Sequence, residues 1–186
     1  MQNTETKNKY TVKDYMLLEE GVPFQLINYD LIMSPSPNPY HQKISFELTI
    51  LMGNFLKATN NKGFAVAAPM DVKLDDGNVF QPDFIFISAS RVPEIIKDRI
   101  EGAPDLVIEI LSPSNGYYDL RQKKDIYEKY GVAEYIIIDP MQQSAEVYVL
   151  KDGKYALDQK TQNIGSFHST VLKGFSVDLK ELFSKV

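Results

Sequence analysis

Two short apolar runs, Leu106-Val107-Ile108-Glu109-Ile110-Leu111 and Tyr135-Ile136-Ile137-Ile138, lie on either side of one helix-like stretch. Apolar runs of this length without polar alternation read as strands buried on both faces. The stretch between them, Asp119 to Tyr130, has helical spacing and stops at Gly131, a residue suited to closing a helix. Strand, helix and strand within 105–139 make a βαβ unit. Its two strands are expected to be parallel, with a right-handed crossover.

The rest of the chain arranges itself around that unit. Thr11 to Glu20 reads as a short helix capped by Thr11. FQLIN (24–28) and YDLIMS (29–34) read as two short strands, and the proline-punctuated SPSPNP (34–39) forbids a helix. From Tyr40 to Ala58, Ile44, Leu48, Leu51 and Phe55 step along one helical stripe. Strands are expected over 64–74, a hairpin turn at Asp75-Asp76-Gly77-Asn78, and a returning strand over 78–88. A helical piece from Val92 to Asp98, a hairpin around Lys151-Asp152-Gly153-Lys154 and a terminal helix (178–185) complete the order. This is an α+β (α/β mixed-sheet) pattern, not a doubly wound nucleotide fold. At 186 residues it is expected to be one domain, 1–186.

Composition then removes whole classes of chemistry. Cysteine is absent, which excludes disulfides, thiolate nucleophiles and cysteine-held zinc and suits a reducing cytoplasm. His41 and His168 are too few for a polyhistidine metal cage. Lys and Arg number 20 against 25 Asp and Glu, a net charge of −5, and neither half of the chain is basic. A general grip on phosphates is therefore not expected. No secretory leader and no run of 18 apolar residues is present, so no membrane partner is expected. Nucleophile elbows, phosphate-binding glycine loops and HExxH are also missing. Catalysis in this chain must use carboxylates, lysines and one histidine.

Glu109 is the most informative residue, because it interrupts a doubly buried strand. An unpaired carboxylate there costs several kcal/mol or takes up a proton. Pairing with an Arg, Lys or Tyr would satisfy it, and so would ligating a metal. Asp83, after Pro82, opens the strand Phe84-Ile85-Phe86-Ile87, although Pro-Asp is also a common strand entry and recurs at Pro104-Asp105. Asp105 lies about 13 Å before Glu109 on the same strand, too far to share an ion. If the strands of Asp83 and Glu109 are adjacent and antiparallel, those two carboxylates come within about 5 Å. On the helix 119–130, Lys123 fills the gap in a stripe of Leu120, Tyr127 and Tyr130, so it starts on the inner face. Arg121, Lys124 and Lys129 point more towards solvent. Pairing with Asp119 four residues earlier is the plainer alternative for Lys123.

The segments FQLINYDLIMSPSPNPYHQKIS, APMDVKLDDGNVFQPDFIF, GAPDLVIEILSPS and YEKYGVAEYIIIDP, in this order over roughly residues 24–150, resemble the Uma-type restriction-endonuclease family, small bacterial proteins of the PD-(D/E)xK nuclease superfamily. The resemblance implies a restriction-endonuclease-like core of helix, three antiparallel strands, helix and strand, with extra N-terminal strands and a C-terminal hairpin. It implies that Asp83 and Glu109 bind the metal and that Lys123, on the following helix, stands for the motif lysine, where Glu109-Ile110-Leu111 has leucine. Gln25 replaces the glutamate usual in relatives and brings no charge.

The implied reaction is Mg²⁺- or Mn²⁺-dependent hydrolysis of DNA phosphodiesters. Asp83, Glu109 and the backbone carbonyl of Ile110 would hold the ion, and Lys123 would assist the water. Gln25 and His41 are accessory candidates, although His41 reads more readily as a histidine at the solvent edge or capping the core. DNA is the expected partner, gripped weakly and through the metal, with Arg121, Lys124 and Lys129 beside the site. A homodimer would supply two sites for two strands. The alternatives are a nuclease fold that has lost catalysis and serves as a binding or assembly module, and a metal hydrolase acting on a small phosphoester.

Overall fold

The computed structural model describes residues 9–19, 21–34, 36–112 and 117–184, with the backbone alone for 117–120. In chain order the elements are α1 (Val12–Tyr15), β1 (Phe24–Ile27), β2 (Asp30–Met33), α2 (Pro39–Ala58), β3 (Phe64–Ala67), β4 (Val72–Asp75), β5 (Asn78–Phe80) and β6 (Phe84–Ile87). They continue with α3 (Val92–Ile95), β7 (Ile100–Glu101), β8 (Leu106–Ile110), α4 (Tyr117–Tyr130), β9 (Glu134–Asp139), β10 (Ser144–Lys151), β11 (Lys154–Gln162), β12 (Ser166–His168), β13 (Ser176–Asp178) and α5 (Leu179–Leu182).

The βαβ unit forms as its apolar runs dictate. β8 and β9 are parallel neighbours from Leu106↔Glu134 to Ile110↔Ile138, with α4 between them and Gly131 left-handed at its end (φ +81°). They lie inside a six-stranded sheet of order β11-β10-β9-β8-β6-β3. β3, β6 and β8 pair antiparallel. The core is thus α2, three antiparallel strands, α4 and a parallel strand, an α+β fold of the kind the resemblance implies.

Alternation along the strands sorts the core into two layers. Ile108, Ile110, Ile136 and Ile138 face α2 through Ile44, Leu48 and Met52, with α5 and the β12–β13 pair on the same side. Val107 and Tyr135 face α4 through Ile126 and Tyr127, and also meet Val72 and Phe80 of a second sheet. That sheet has order β2-β1-β5-β4-β7. Among the described residues no helix is long and apolar enough to cross a membrane.

Three expectations need correction. Residues 78–88 are not one strand: β5 pairs with β1 and β4, whereas β6 belongs to the six-stranded sheet. Pro82 lacks the N–H that a continuous ladder needs, so the chain changes sheets at Gln81-Pro82-Asp83. The first helix ends at Tyr15 rather than Glu20; beyond it Met16 and Leu18 still pack on Val12 and Tyr15, but Leu17 is 85% exposed. On α2 the buried line is His41, Ile44, Leu48 and Met52, while Leu51 and Phe55 pack at its margin. The turn expected at 113–116, and the side chains of Asp119 and Leu120, lie outside the described residues.

Candidate functional site

Strand polarity builds the site. β6 runs antiparallel to β8 with Phe84 opposite Ile108 and Phe86 opposite Leu106. The start of β6 therefore meets the end of β8, which sets Asp83 beside Glu109 and Ile110. Asp83 Oδ2 accepts the Ile110 N–H at 2.7 Å. Asp105 is excluded by the same polarity: its oxygens accept the Ser88 N–H (2.7 Å), the Ser88 hydroxyl (2.6 Å) and Arg91 (2.6 Å).

Helix α2 delivers the histidine. Asn38 caps it by accepting the His41 N–H at 2.8 Å, and His41, only 6% exposed, points at the end of the sheet. Its Nε2 lies 3.1 Å from the Ile110 carbonyl oxygen and 3.3 Å from Asp83 Oδ2. Burial pushes the imidazole pKa down, but the Asp83 hydrogen bond and charge, the Ile110 carbonyl and Glu109 outweigh it, so the net shift is upward. Nδ1 is buried without a hydrogen-bond partner among the described residues. His41 thus sits within the site rather than at the solvent edge.

Helix α4 delivers the lysine. Lys123, 2% exposed, donates to both oxygens of Glu109 at 3.1 Å, and the Tyr127 hydroxyl donates to Glu109 Oε1 at 2.9 Å. The Lys123 ammonium also lies 5.9 Å from the centre of the Phe80 ring. Burial raises the Glu109 pKa and the nearby Asp83 charge adds to it, against the opposing pull of Lys123 and Tyr127. Glu109 is therefore satisfied by a lysine and a tyrosine. Tyr127 went unrecognised in the sequence, where it counted as one apolar member of a stripe; its place four residues after Lys123, on the same helix face, was the available signal.

Gln25 lies in the cavity wall with both ends of its amide hydrogen-bonded. Its Oε1 accepts the Gln81 N–H at 3.0 Å, and its Nε2 donates to the Ser34 hydroxyl. Gln81 continues inward to Asp71, which also accepts the Tyr15 hydroxyl. Asp83, Glu109, Lys123, His41 and Gln25 line one open cavity of about 350 Å³, shared with Ser34, Ser36, Ser45 and Gln42. Of the other cations of α4, Lys124 is not turned to solvent as expected: its ammonium lies 3.5 Å from the Tyr148 ring centre. Lys129 points away from the cavity, donating to Tyr130, whose hydroxyl meets Asp75.

The donor set suits a hard cation. Asp83 Oδ2 and the Ile110 carbonyl oxygen both face His41 Nε2, which fills the space between them, and the Glu109 carboxylate lies on the residue before Ile110. Among the described residues no three His, Cys, Asp or Glu side chains gather into a metal cage. By donor type the set is all oxygen, the chemistry of Mg²⁺ sites rather than of zinc sites, which take nitrogen and sulfur.

A model of the Uma2 family, described as "Putative restriction endonuclease", matches residues 12–180. A solved structure described as "a putative nuclease belonging to DUF820", from Anabaena variabilis ATCC 29413, superposes with a TM-score of 0.77 at 22% identity, covering 94% of this chain and 97% of that one. A DrdV–DNA complex matches with a TM-score of 0.33 at 14% identity, over 66% of this chain and 12% of that one, and carries no argument. No curated protein matches.

Proposed function

The chain belongs to the Uma2 family of restriction-endonuclease-like proteins, and from that premise we propose that it is a Mg²⁺- or Mn²⁺-dependent endonuclease that hydrolyses DNA phosphodiester bonds at Asp83, Glu109 and Lys123. The observation that carries the reading is one buried constellation: a lysine 3.1 Å from both oxygens of a strand-end glutamate, with a second carboxylate on the next strand. All three line an open cavity. We take residues 1–186 as one such domain acting in the cytoplasm, and as a homodimer where both strands are cut.

Asp83, Glu109 and the Ile110 carbonyl would hold the ion, which when bound supplies Lewis-acid polarisation of a phosphate oxygen and a more acidic water. Lys123 contributes a fixed cation that can turn an N–H towards charge developing on the phosphate. Tyr127 holds Glu109 Oε1 and so fixes the carboxylate plane. His41 keeps the Asp83 end ordered through Asp83 Oδ2 and the Ile110 carbonyl. Its raised pKa keeps a proton on the ring to a higher pH.

Gln25 favours a second reading, a fold without catalysis that serves as a binding or assembly module. Each end of its amide is hydrogen-bonded, to Gln81 and to Ser34, and it brings no charge to the cavity wall. Cleavage of linear DNA in Mg²⁺ or Mn²⁺ decides between them, with Asp83→Ala, Glu109→Ala and Lys123→Ala as comparisons. The nuclease reading expects each variant to lose at least about a hundredfold in rate, the scale of a removed electrostatic stabiliser. Equal cleavage by all four proteins overturns it, and no cleavage by wild type selects the second reading.

A further inference from the structure

The catalytic cavity is short of cations. Its wall includes hydroxyls and amides (Ser34, Ser36, Gln42, Ser45), and among its described residues the basic side chains are Lys123 and His41. A nucleic-acid strand carries a phosphate for every 3.4 Å of axis, and protein contacts to several of them position it. Phosphates beyond the scissile one need a grip elsewhere.

The sheet provides a direct route to one. Glu109 of β8 is opposite Ile137 of β9, Ile137 is opposite Glu146 of β10, and Glu146 is opposite Lys160 of β11. Directly opposite residues project to the same face, so these four form one row across the sheet under α4. At about 4.8 Å per strand, Lys160 stands roughly 14 Å from Glu109. The far end of the row is hollow: a cavity of about 260 Å³ bounded by Arg121, Lys124, Asp139, Glu146, Tyr148 and Lys160. Helix α4 straddles both cavities, with Lys123 entering one and its neighbour Lys124 the other.

Three cations meet two carboxylates there, and both carboxylates have donors. Asp139 Oδ1 accepts the N–H groups of Met141 and Gln142 at 2.9 and 3.0 Å. Glu146 accepts the Tyr148 hydroxyl at 2.6 Å and Lys160 at 2.7 Å. Lys124 is packed on the Tyr148 ring with Arg121 one turn away. Burial lowers its pKa, Arg121 adds to that, and the nearby Asp125, Glu128 and Glu146 do not restore it. The lining therefore holds three cations against two carboxylates, a positive balance that favours a further anion.

We propose that this cavity, formed by Arg121, Lys124, Lys160 and Tyr148, is a phosphate subsite for the strand being cut, seating a backbone phosphate beyond the scissile one. The inference rests on the nuclease reading and deepens it. Contacts of this kind supply affinity and register without sequence preference, and they give a protein of net charge −5 a local hold on DNA.

The test compares wild type with the triple variant Arg121→Gln, Lys124→Gln, Lys160→Gln, and with Lys124→Arg, which keeps a cation on the ring. A fluorescent duplex of about 20 base pairs is titrated in Ca²⁺ across a salt series, and turnover is measured in Mn²⁺ on that duplex and on bis(p-nitrophenyl) phosphate. The subsite expects the triple variant to bind the duplex at least about tenfold more weakly, with the salt slope reduced by about 1 to 2. Hydrolysis of the small ester, which has no flanking phosphate, stays within about twofold, and Lys124→Arg resembles wild type. An unchanged salt slope overturns the subsite while leaving the nuclease reading intact. Loss of small-ester hydrolysis in a folded triple variant also overturns it, since the residues would then act at the reacting centre. Displacement of the duplex by inorganic phosphate, beyond what chloride does at equal ionic strength, reassigns the cavity to a free anion and overturns the strand reading. A wild type that neither binds nor cuts DNA refutes the nuclease reading and the subsite together.

Discussion

Replacing Lys123 by methionine tests the buried ion pair that holds the site. The side chains of Lys123 and Glu109 are 3% and 5% exposed, so solvent screens neither charge. Methionine keeps most of the apolar stem and removes the ammonium, leaving Glu109 with the Tyr127 hydroxyl and the unfavourable charge of Asp83. Removing one partner of a buried pair costs about 3–5 kcal/mol, a large part of the roughly 5–15 kcal/mol that holds a domain together. The cost depends on pH in a definite sense. Burial already raises the folded-state pKa of Glu109, and the variant raises it further. The folded state then binds a proton that the unfolded state, titrating near 4.3, does not. The penalty is therefore full above the folded pKa and shrinks as pH falls through it. Urea unfolding at pH 8 and pH 5 should show Lys123→Met losing about 3 kcal/mol or more at pH 8 and clearly less at pH 5. The double variant Lys123→Met, Glu109→Gln should regain most of that loss. A deficit below about 1 kcal/mol at pH 8, or a double variant no better than the single, would refute the reasoning.

Away from the site, Asp105 is a structural counterpart of Asp83. Burial pushes its pKa up, but Ser88 and Arg91 overcome this and hold it below the usual carboxylate range. Its stabilising contribution is present above the unfolded value near 3.9 and is lost as pH falls through the lower folded value. Asp105→Asn should therefore be less stable than wild type at pH 6 and converge with it in strong acid; parallel acid-unfolding curves would contradict this. Glu134 is fully buried and its Oε2 accepts the Ser169 and Thr170 hydroxyls and the Thr170 and Val171 N–H groups at 2.7–3.1 Å. Glu134→Ala strands those donors and should cost about 3 kcal/mol or more, read by thermal unfolding with DNA cleavage as a separate measurement; a loss under 1 kcal/mol would mean water replaces the carboxylate.

Much of the fold was legible because the strongest signals are local. The apolar runs of β8 and β9 and the glycine at the end of α4 declare themselves without reference to the rest of the chain. What escaped depends on distant partners. Nothing within NVFQPDFIFIS says that Asn78–Phe80 and Phe84–Ile87 pair in different sheets; that follows from β1 and β3 arriving from elsewhere. The β12–β13 pair is three residues a side and hidden in a polar stretch, and it forms where Phe167 and Val177 complete the layer under α2. Its anchor, Glu134, reads in the sequence as an ordinary charged residue entering a strand.

The site divides along the same line. Asp83, Glu109 and Lys123 could be nominated because a charge in an apolar pattern is anomalous, and strand polarity then decided between Asp83 and Asp105. His41 gave no comparable anomaly: a histidine at the start of an amphipathic helix is ordinary until Ile110 and Asp83 are placed opposite it. Gln25 shows the limit most clearly. As a substitution for glutamate it suggested a lost ligand, yet its Oε1 receives the Gln81 N–H, next to the proline where the chain changes sheets. A glutamate at that position can accept the same bond from the main chain and the Ser34 hydroxyl. The residue's visible work is to join β1 to the Gln81-Pro82-Asp83 segment, and through it to set Asp83. A carboxylate could make the same join, so the missing charge bears on catalysis, and favours the second reading, only to the extent that residue 25 also reaches a metal.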